Sequence, residues 1–191
     1  MRSFFFLLLA LLCASAQAQI KLAKRQLTKG TSMSIPQNFV LMNDDLLARK
    51  YFSPKKPTAV YTDPNAQVDI GINFTESYWH EDDIPMLKDL YRASLSATYT
   101  RVDFVKESVE YIHKRQYVVF EFVGILEDEV KENAVIEKRR GRVEHYNYLM
   151  YTVVNKKIVV VNFNCPAKMR NVWQEQVPKM MQSLRIKNLD L

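Results

Sequence analysis

Tyr146-Asn147-Tyr148-Leu149-Met150-Tyr151-Thr152-Val153-Val154, then Asn155-Lys156, then Ile158-Val159-Val160-Val161-Asn162-Phe163. This stretch decides the fold class. Both runs are rich in β-branched and aromatic residues, the types that fit a pleated surface. Asn155-Lys156 between them reads as a tight hairpin turn. Two long adjacent strands joined by so short a link run antiparallel. A second strong strand precedes them at Tyr117-Val118-Val119-Phe120-Glu121-Phe122-Val123, with a more moderate one over Val102 to Ile112. The second half of the chain is therefore β-rich.

Upstream, Val68-Asp69-Ile70-Gly71-Ile72-Asn73-Phe74 alternates apolar and polar residues, the period of a strand with one buried face. Thr58 to Thr62 is a further strand, closed by the turn Asp63-Pro64-Asn65. Asp45 to Tyr51 suits a helical turn. Between the β regions lies an amphipathic helix. Asp82 or Asp83 caps it, Pro85 is tolerated in its first turn, and it ends near Tyr99. Ile84, Leu87, Leu90, Tyr91 and Leu95 form its expected apolar stripe. A closing helix covers about 167–184, with Met169, Val172, Trp173, Met180 and Leu184 on one side and Pro178 expected to kink or split it. Strands, helix, strands, helix is the order of an α+β domain. The expected architecture is an antiparallel β-sheet flanked by helices, an α/β/α sandwich.

The amino terminus reads as an export signal. Met1-Arg2 is a short basic start, Phe4 to Leu12 is an apolar run too short to span a bilayer, and Ala16-Gln17-Ala18 offers small residues for cleavage. The expected division is a signal peptide over 1–18, a flexible basic leader over 19–31 and one α+β domain over 32–191. The expected location is periplasmic or secreted, after cleavage near Ala18. No later run is long and apolar enough for a transmembrane helix, so none is expected in the mature chain. The whole chain carries a formal charge of +6. That balance favours an acidic envelope protein or an anionic surface as partner, or serves solubility alone. No nucleic acid is expected, and the oligomeric state is left open.

The chemistry on offer is sparse. Of two cysteines, Cys13 lies in the signal, so Cys165 is alone in the mature chain and forms no intrachain disulfide. It is a nucleophile, an intermolecular link or a small buried apolar residue. His80-Glu81-Asp82-Asp83 is the densest set of possible ligands. It lacks EF-hand spacing, and acidic residues suit a helix start in any case. His113 and His145 are isolated, and read as edge or surface groups. There is no Gly-x-Ser-x-Gly elbow and no phosphate-cradling glycine loop. No catalytic residue, metal or cofactor is expected. The basic run Lys138-Arg139-Arg140-Gly141-Arg142 stands out as an anion-binding loop tip, or as one arm of a neutralised pair with Glu127-Asp128-Glu129. Tyr146 and Tyr148 share one strand face, either as an exposed ledge for a ligand or as core.

Two short motifs bear a family likeness. Ser34-Ile35-Pro36-Gln37-Asn38-Phe39 resembles the opening of the PsbP-like fold group, which takes in the extrinsic PsbP subunit of photosystem II, the Ran-release factor Mog and the periplasmic lipoprotein DcrB. Trp173 with Met180-Met181-Gln182-Ser183-Leu184-Arg185-Ile186 is similar to its closing helix. The resemblance spans about residues 32–187. It implies an antiparallel sheet between helices, and mostly non-enzymatic binding or assembly roles. No residues match the Ran-contacting surface or the photosystem subunit's metal sites, and 127–144 departs from the pattern. The leading expectation is a non-catalytic exported binding or assembly module of the bacterial cell envelope. Its contacts would be Lys138, Arg139, Arg140, Arg142, Tyr146 and Tyr148. The alternatives are a periplasmic hydrolase using Cys165 or a carboxylate, and a carrier of lipid or a small apolar ligand.

Overall fold

The structure, a computed structural model, describes residues 20–51, 56–75, 78–127 and 141–187. Its centre is the predicted hairpin. β8 (Arg142–Val154) and β9 (Lys157–Pro166) pair antiparallel, with Val154 opposite Lys157. Asn155 and Lys156 both take positive φ, 50° and 63°. That is the left-handed turn geometry that matches strand twist, and Asn tolerates it well. β6 (Arg101–Ile112) and β7 (Arg115–Glu127) repeat the device through His113 and Lys114, at φ of 50° and 67°. With β3 (Val40–Leu41), β4 (Ala59–Thr62) and β5 (Asp69–Phe74) they form a seven-stranded sheet, in the order β3-β4-β5-β9-β8-β7-β6. Every described pairing in it is antiparallel.

Both faces of that sheet are covered, so its central strands are apolar on both sides rather than on one. One face carries Val118, Phe120, Phe122, Tyr151 and Val153 beneath helix α2 (Ile84–Thr98), which follows α1 (Asp44–Lys50) in the chain. Ile84, Leu87 and Leu95 are buried as predicted, and Tyr91 stacks on Tyr151 with ring centroids 3.8 Å apart. Burying a side chain such as Leu87 contributes about 1.5–3 kcal/mol. Leu90 departs from expectation and is half exposed. It lies about 100° round the helix from Tyr91, at the margin of the stripe.

The other face carries Tyr146, Tyr148, Met150, Val161, Phe163 and Cys165. It packs under the C-terminal helices and a small sheet of β1 (Leu22–Thr28), β2 (Thr31–Pro36) and β10 (Arg185–Ile186). The closing helix is split, as Pro178 predicted, into α3 (Arg170–Trp173) and α4 (Val177–Gln182). Pro178 sits in the first turn of α4, where its missing N–H costs nothing. Trp173 and Met180 are buried, whereas Val172, next to Trp173 and so rotated off the apolar side, is exposed.

Residues 22–28 correct the expectation of a flexible leader over 19–31. They form β1, registered with β2 from Leu22 opposite Pro36 to Thr28 opposite Thr31. Leu27 is buried, and Tyr61 donates its hydroxyl to the Gln26 carbonyl at 3.0 Å. Lys24, Arg25 and Gln26 are exposed because β1 edges the small sheet. Lysines on an edge strand deter pairing with other chains. The expected signal at 1–18 lies outside the described residues.

Candidate functional site

Two of the expected contact residues, Tyr146 and Tyr148, are not at the surface. Both are buried, at 0% and 1% exposure, so they form no ledge. Their shared face was read correctly, but it is the face roofed by the C-terminal helices. Tyr146 donates its hydroxyl to the Glu121 carboxylate at 2.9 Å inside the protein. Burial raises the Tyr146 hydroxyl pKa, and the Glu121 charge adds to this. Cys165 is also fully buried, opposite Tyr146 in the sheet, and burial pushes its thiol up to about 12. A thiol so protonated and enclosed is a poor nucleophile, which counts against the Cys165 hydrolase reading.

Lys138, Arg139 and Arg140 lie outside the described residues. Arg142, at the root of that segment, is half exposed and lies between Glu127, at 3.3 Å, and Glu144, at 2.5 Å. The β7–β8 ladder stays in register to the Glu127–Arg142 pair. Just inside that pair, Leu126 opposes Val143, and both side chains are exposed. This end of the hairpin therefore presents a small apolar step flanked by charge.

The opposite end of β7 and β8 opens into a cleft of about 490 Å³. Four chain-distant pieces line it: the 3₁₀ turn Glu81–Asp83 before α2, the β6–β7 hairpin, the end of β8, and Leu184–Ile186 around β10. The Arg115 guanidinium reaches across the sheet and donates to the Val153 carbonyl at 2.9 Å. Its nearest acid among the described residues is Glu81, at 3.5 Å on the exposed rim. Among the described residues the Arg185 guanidinium donates only to the carbonyl of Leu184, at 3.3 Å. Tyr117 is buried at the base of the cleft. Burial pushes its hydroxyl up to about 12 against the opposing pull of Arg115 and Arg185. His113 Nε2 lies 2.9 Å from the Gln182 carbonyl, which can only accept, so Nε2 carries the proton. The contact ties the hairpin turn to the end of α4. None of Arg115, Tyr117 and Arg185 was singled out from the sequence. The one available signal was the basic turn His113-Lys114-Arg115 between two strands.

A second polar cluster is closed. Asp69 on β5 is fully buried and accepts from Thr62 Oγ1 at 2.7 Å, the Tyr51 hydroxyl at 2.8 Å and Lys50 Nζ at 2.6 Å. Lys50 also donates to the Ala66 carbonyl. The cluster pins the end of α1 to the sheet. Burial, then the Asp69 charge, holds the Tyr51 hydroxyl well above its usual range. His80-Glu81-Asp82-Asp83 serves the helix start. The His80 N–H donates to the Asp83 carboxylate at 2.8 Å, and among the described residues no group of three or more His, Cys, Asp or Glu side chains is arranged to hold a metal.

No protein-family model matches the sequence, and the search of curated proteins found no match. Solved structures do. The solution structure of the cyanobacterial PsbP, CyanoP, from Synechocystis sp. PCC 6803 aligns at a TM-score of 0.54 and 12% identity, over 91% of this chain and 97% of its own. The Ran-binding protein Mog1p of Saccharomyces cerevisiae aligns at a TM-score of 0.56 and 10% identity, over 88% of this chain and 96% of its own. The chain has the PsbP-like fold, an antiparallel α+β architecture. No helix among the described residues is long and apolar enough to cross a membrane.

Proposed function

We propose that this chain is a non-catalytic binding or assembly module of the bacterial cell envelope, exported by its first eighteen residues. Its partner is an acidic envelope protein, met at the far end of the β7–β8 hairpin by Arg142 and the basic run Lys138, Arg139 and Arg140. The observation that carries this reading is the end of that hairpin. The ladder holds register to Glu127 and Arg142, and Leu126 and Val143 are exposed next to Arg142. Exposed apolar side chains ringed by charge are the usual make-up of a protein contact. The fold agrees with such a role by analogy only, since one fold hosts many functions.

Replacing Arg139, Arg140 and Arg142 by Glu is expected to abolish in-cell cross-linking to an acidic envelope protein. The wild-type cross-link should fade as salt rises, because exposed charges are screened. Cross-linking that persists unchanged in the triple variant rules out the assignment. Binding is separated from catalysis by the thiol. In the native protein Cys165 should stay unmodified by a maleimide near neutral pH and react fully once unfolded. Rapid native labelling would reopen the hydrolase reading.

A further inference from the structure

The cleft at the turn end of the sheet is independent of that proposal and has its own chemistry. Three fixed cations line it, Lys114, Arg115 and Arg185, against Glu81 and Asp82 on the rim. The balance is narrow, so position decides. Glu81 is three-quarters exposed and touches Arg115 only at 3.5 Å. Arg185 has no carboxylate within ion-pair distance among the described residues, and its single hydrogen bond goes to its neighbour's carbonyl. Arg115 is two-thirds buried and its Nη1 donates to the Val153 carbonyl and, at 3.5 Å, to Glu81, leaving Nε and Nη2 without a hydrogen bond among the described residues. Tyr117 lines the same cleft, and its hydroxyl has no hydrogen-bond partner among the described residues and feels both guanidinium charges. A phenol and two guanidinium groups lining one cleft form a set of donors that exceeds the acceptors beside them. Such a set fits an oxyanion with several lone pairs.

We infer that this cleft binds a small organic oxyanion, its phosphate or carboxylate group held by Arg115, Arg185 and the Tyr117 hydroxyl and its apolar part lying against Ile112 and Leu184. The volume, about 490 Å³, is that of a small-molecule site and far exceeds a bare inorganic ion. Three other features of the molecule fall short. The Asp69 cluster is already satisfied, Cys165 is enclosed, and the long edge strand β6 carries a bulge and alternating charges that oppose pairing.

The test is a titration of the purified protein, with no partner present, by phenyl phosphate, by benzoate and by neutral phenol. Backbone amide shifts of residues 112–117 and 184–186 are the readout. Phenyl phosphate or benzoate should shift these amides saturably, the tighter of the two identifying the headgroup, and phenol should not. Arg185→Gln, at an exposed position that leaves distant amides unmoved, should weaken binding about tenfold. Tyr117→Phe should weaken it less. Three results overturn the inference. These are no saturation by either anion up to roughly 10 mM, equal shifts with phenol, and unchanged affinity in Arg185→Gln. Because no partner is involved, the hairpin-tip proposal can fail while this one stands, and the reverse.

Discussion

Two clusters of charge in this protein use the same residue types to opposite effect. Around Asp69 every donor meets an acceptor. Lys50, Tyr51 and Thr62 converge on one buried carboxylate, and nothing is left over. Around Tyr117 the donors outnumber the acceptors, and the surplus faces a cleft. A cluster that closes on itself holds structure, since removing one member strands the others in low dielectric. A cluster that stays open already tolerates a missing partner, so its members can change with little loss of stability. The difference separates scaffold from site without appeal to any relative.

The largest expected effect tests that distinction at once. Asp69→Ala should cost about 3 kcal/mol of unfolding free energy, because the Tyr51 hydroxyl loses its acceptor, buried Thr62 keeps only its longer bond to the Val68 carbonyl, and Lys50 loses the one acid paired with it among the described residues. Arg185→Gln, which also deletes one charge, should stay within about 0.5 kcal/mol. Urea denaturation of both variants checks this. Equal losses would mean that the open cluster is structural after all. A finer cut uses two hydroxyls of equal size. Tyr51→Phe removes a hydrogen bond to a charged group and should cost about 1.5 kcal/mol, whereas Tyr117→Phe removes one with no partner and should cost a few tenths. A loss at Tyr117 matching that at Tyr51 would show a hidden acceptor in the cleft.

The sequence made one cluster's scaffold readable and hid the other cluster. The alternation of Val68 to Phe74 located β5 and thus Asp69, and the Asn155-Lys156 turn located the central hairpin, because local geometry fixes both. Pro178 likewise marked the break between α3 and α4. Tyr146 and Tyr148 could be assigned to one face but not to its inward side, since this sheet is roofed on both sides and period-two patterning no longer tells in from out. The leader over 19–31 was misread for a related reason: β1 is an edge strand, and its exposed basic residues look like those of an unpaired arm. The cleft was invisible because Glu81, Arg115, Val153 and Arg185 are brought together only by tertiary packing. Spacing along the chain carries no trace of that.

The smallest effect refines the comparison through a histidine in each cluster. His113, exposed beside the cleft, is held below its ordinary value of 6.5 by desolvation and then by Arg185, with no acid among the described residues opposing. His145 is lowered by burial and by Lys50, while Asp69 pulls the other way. For a base lowered on folding, the unfolded chain takes up the proton more readily. Both histidines therefore contribute stability in full above about pH 6.5 and lose it as pH falls through their folded values. Titrated by imidazole proton resonances, the two should answer oppositely to their neighbours. Arg185→Gln should raise His113 toward 6.5, because a repelling cation is gone. Asp69→Asn should lower His145 further, because the one favourable charge is gone and Lys50 remains. A His113 that ignores Arg185 would place that guanidinium outside the cleft in solution. That result would leave the open cluster with one cation at its floor in place of two.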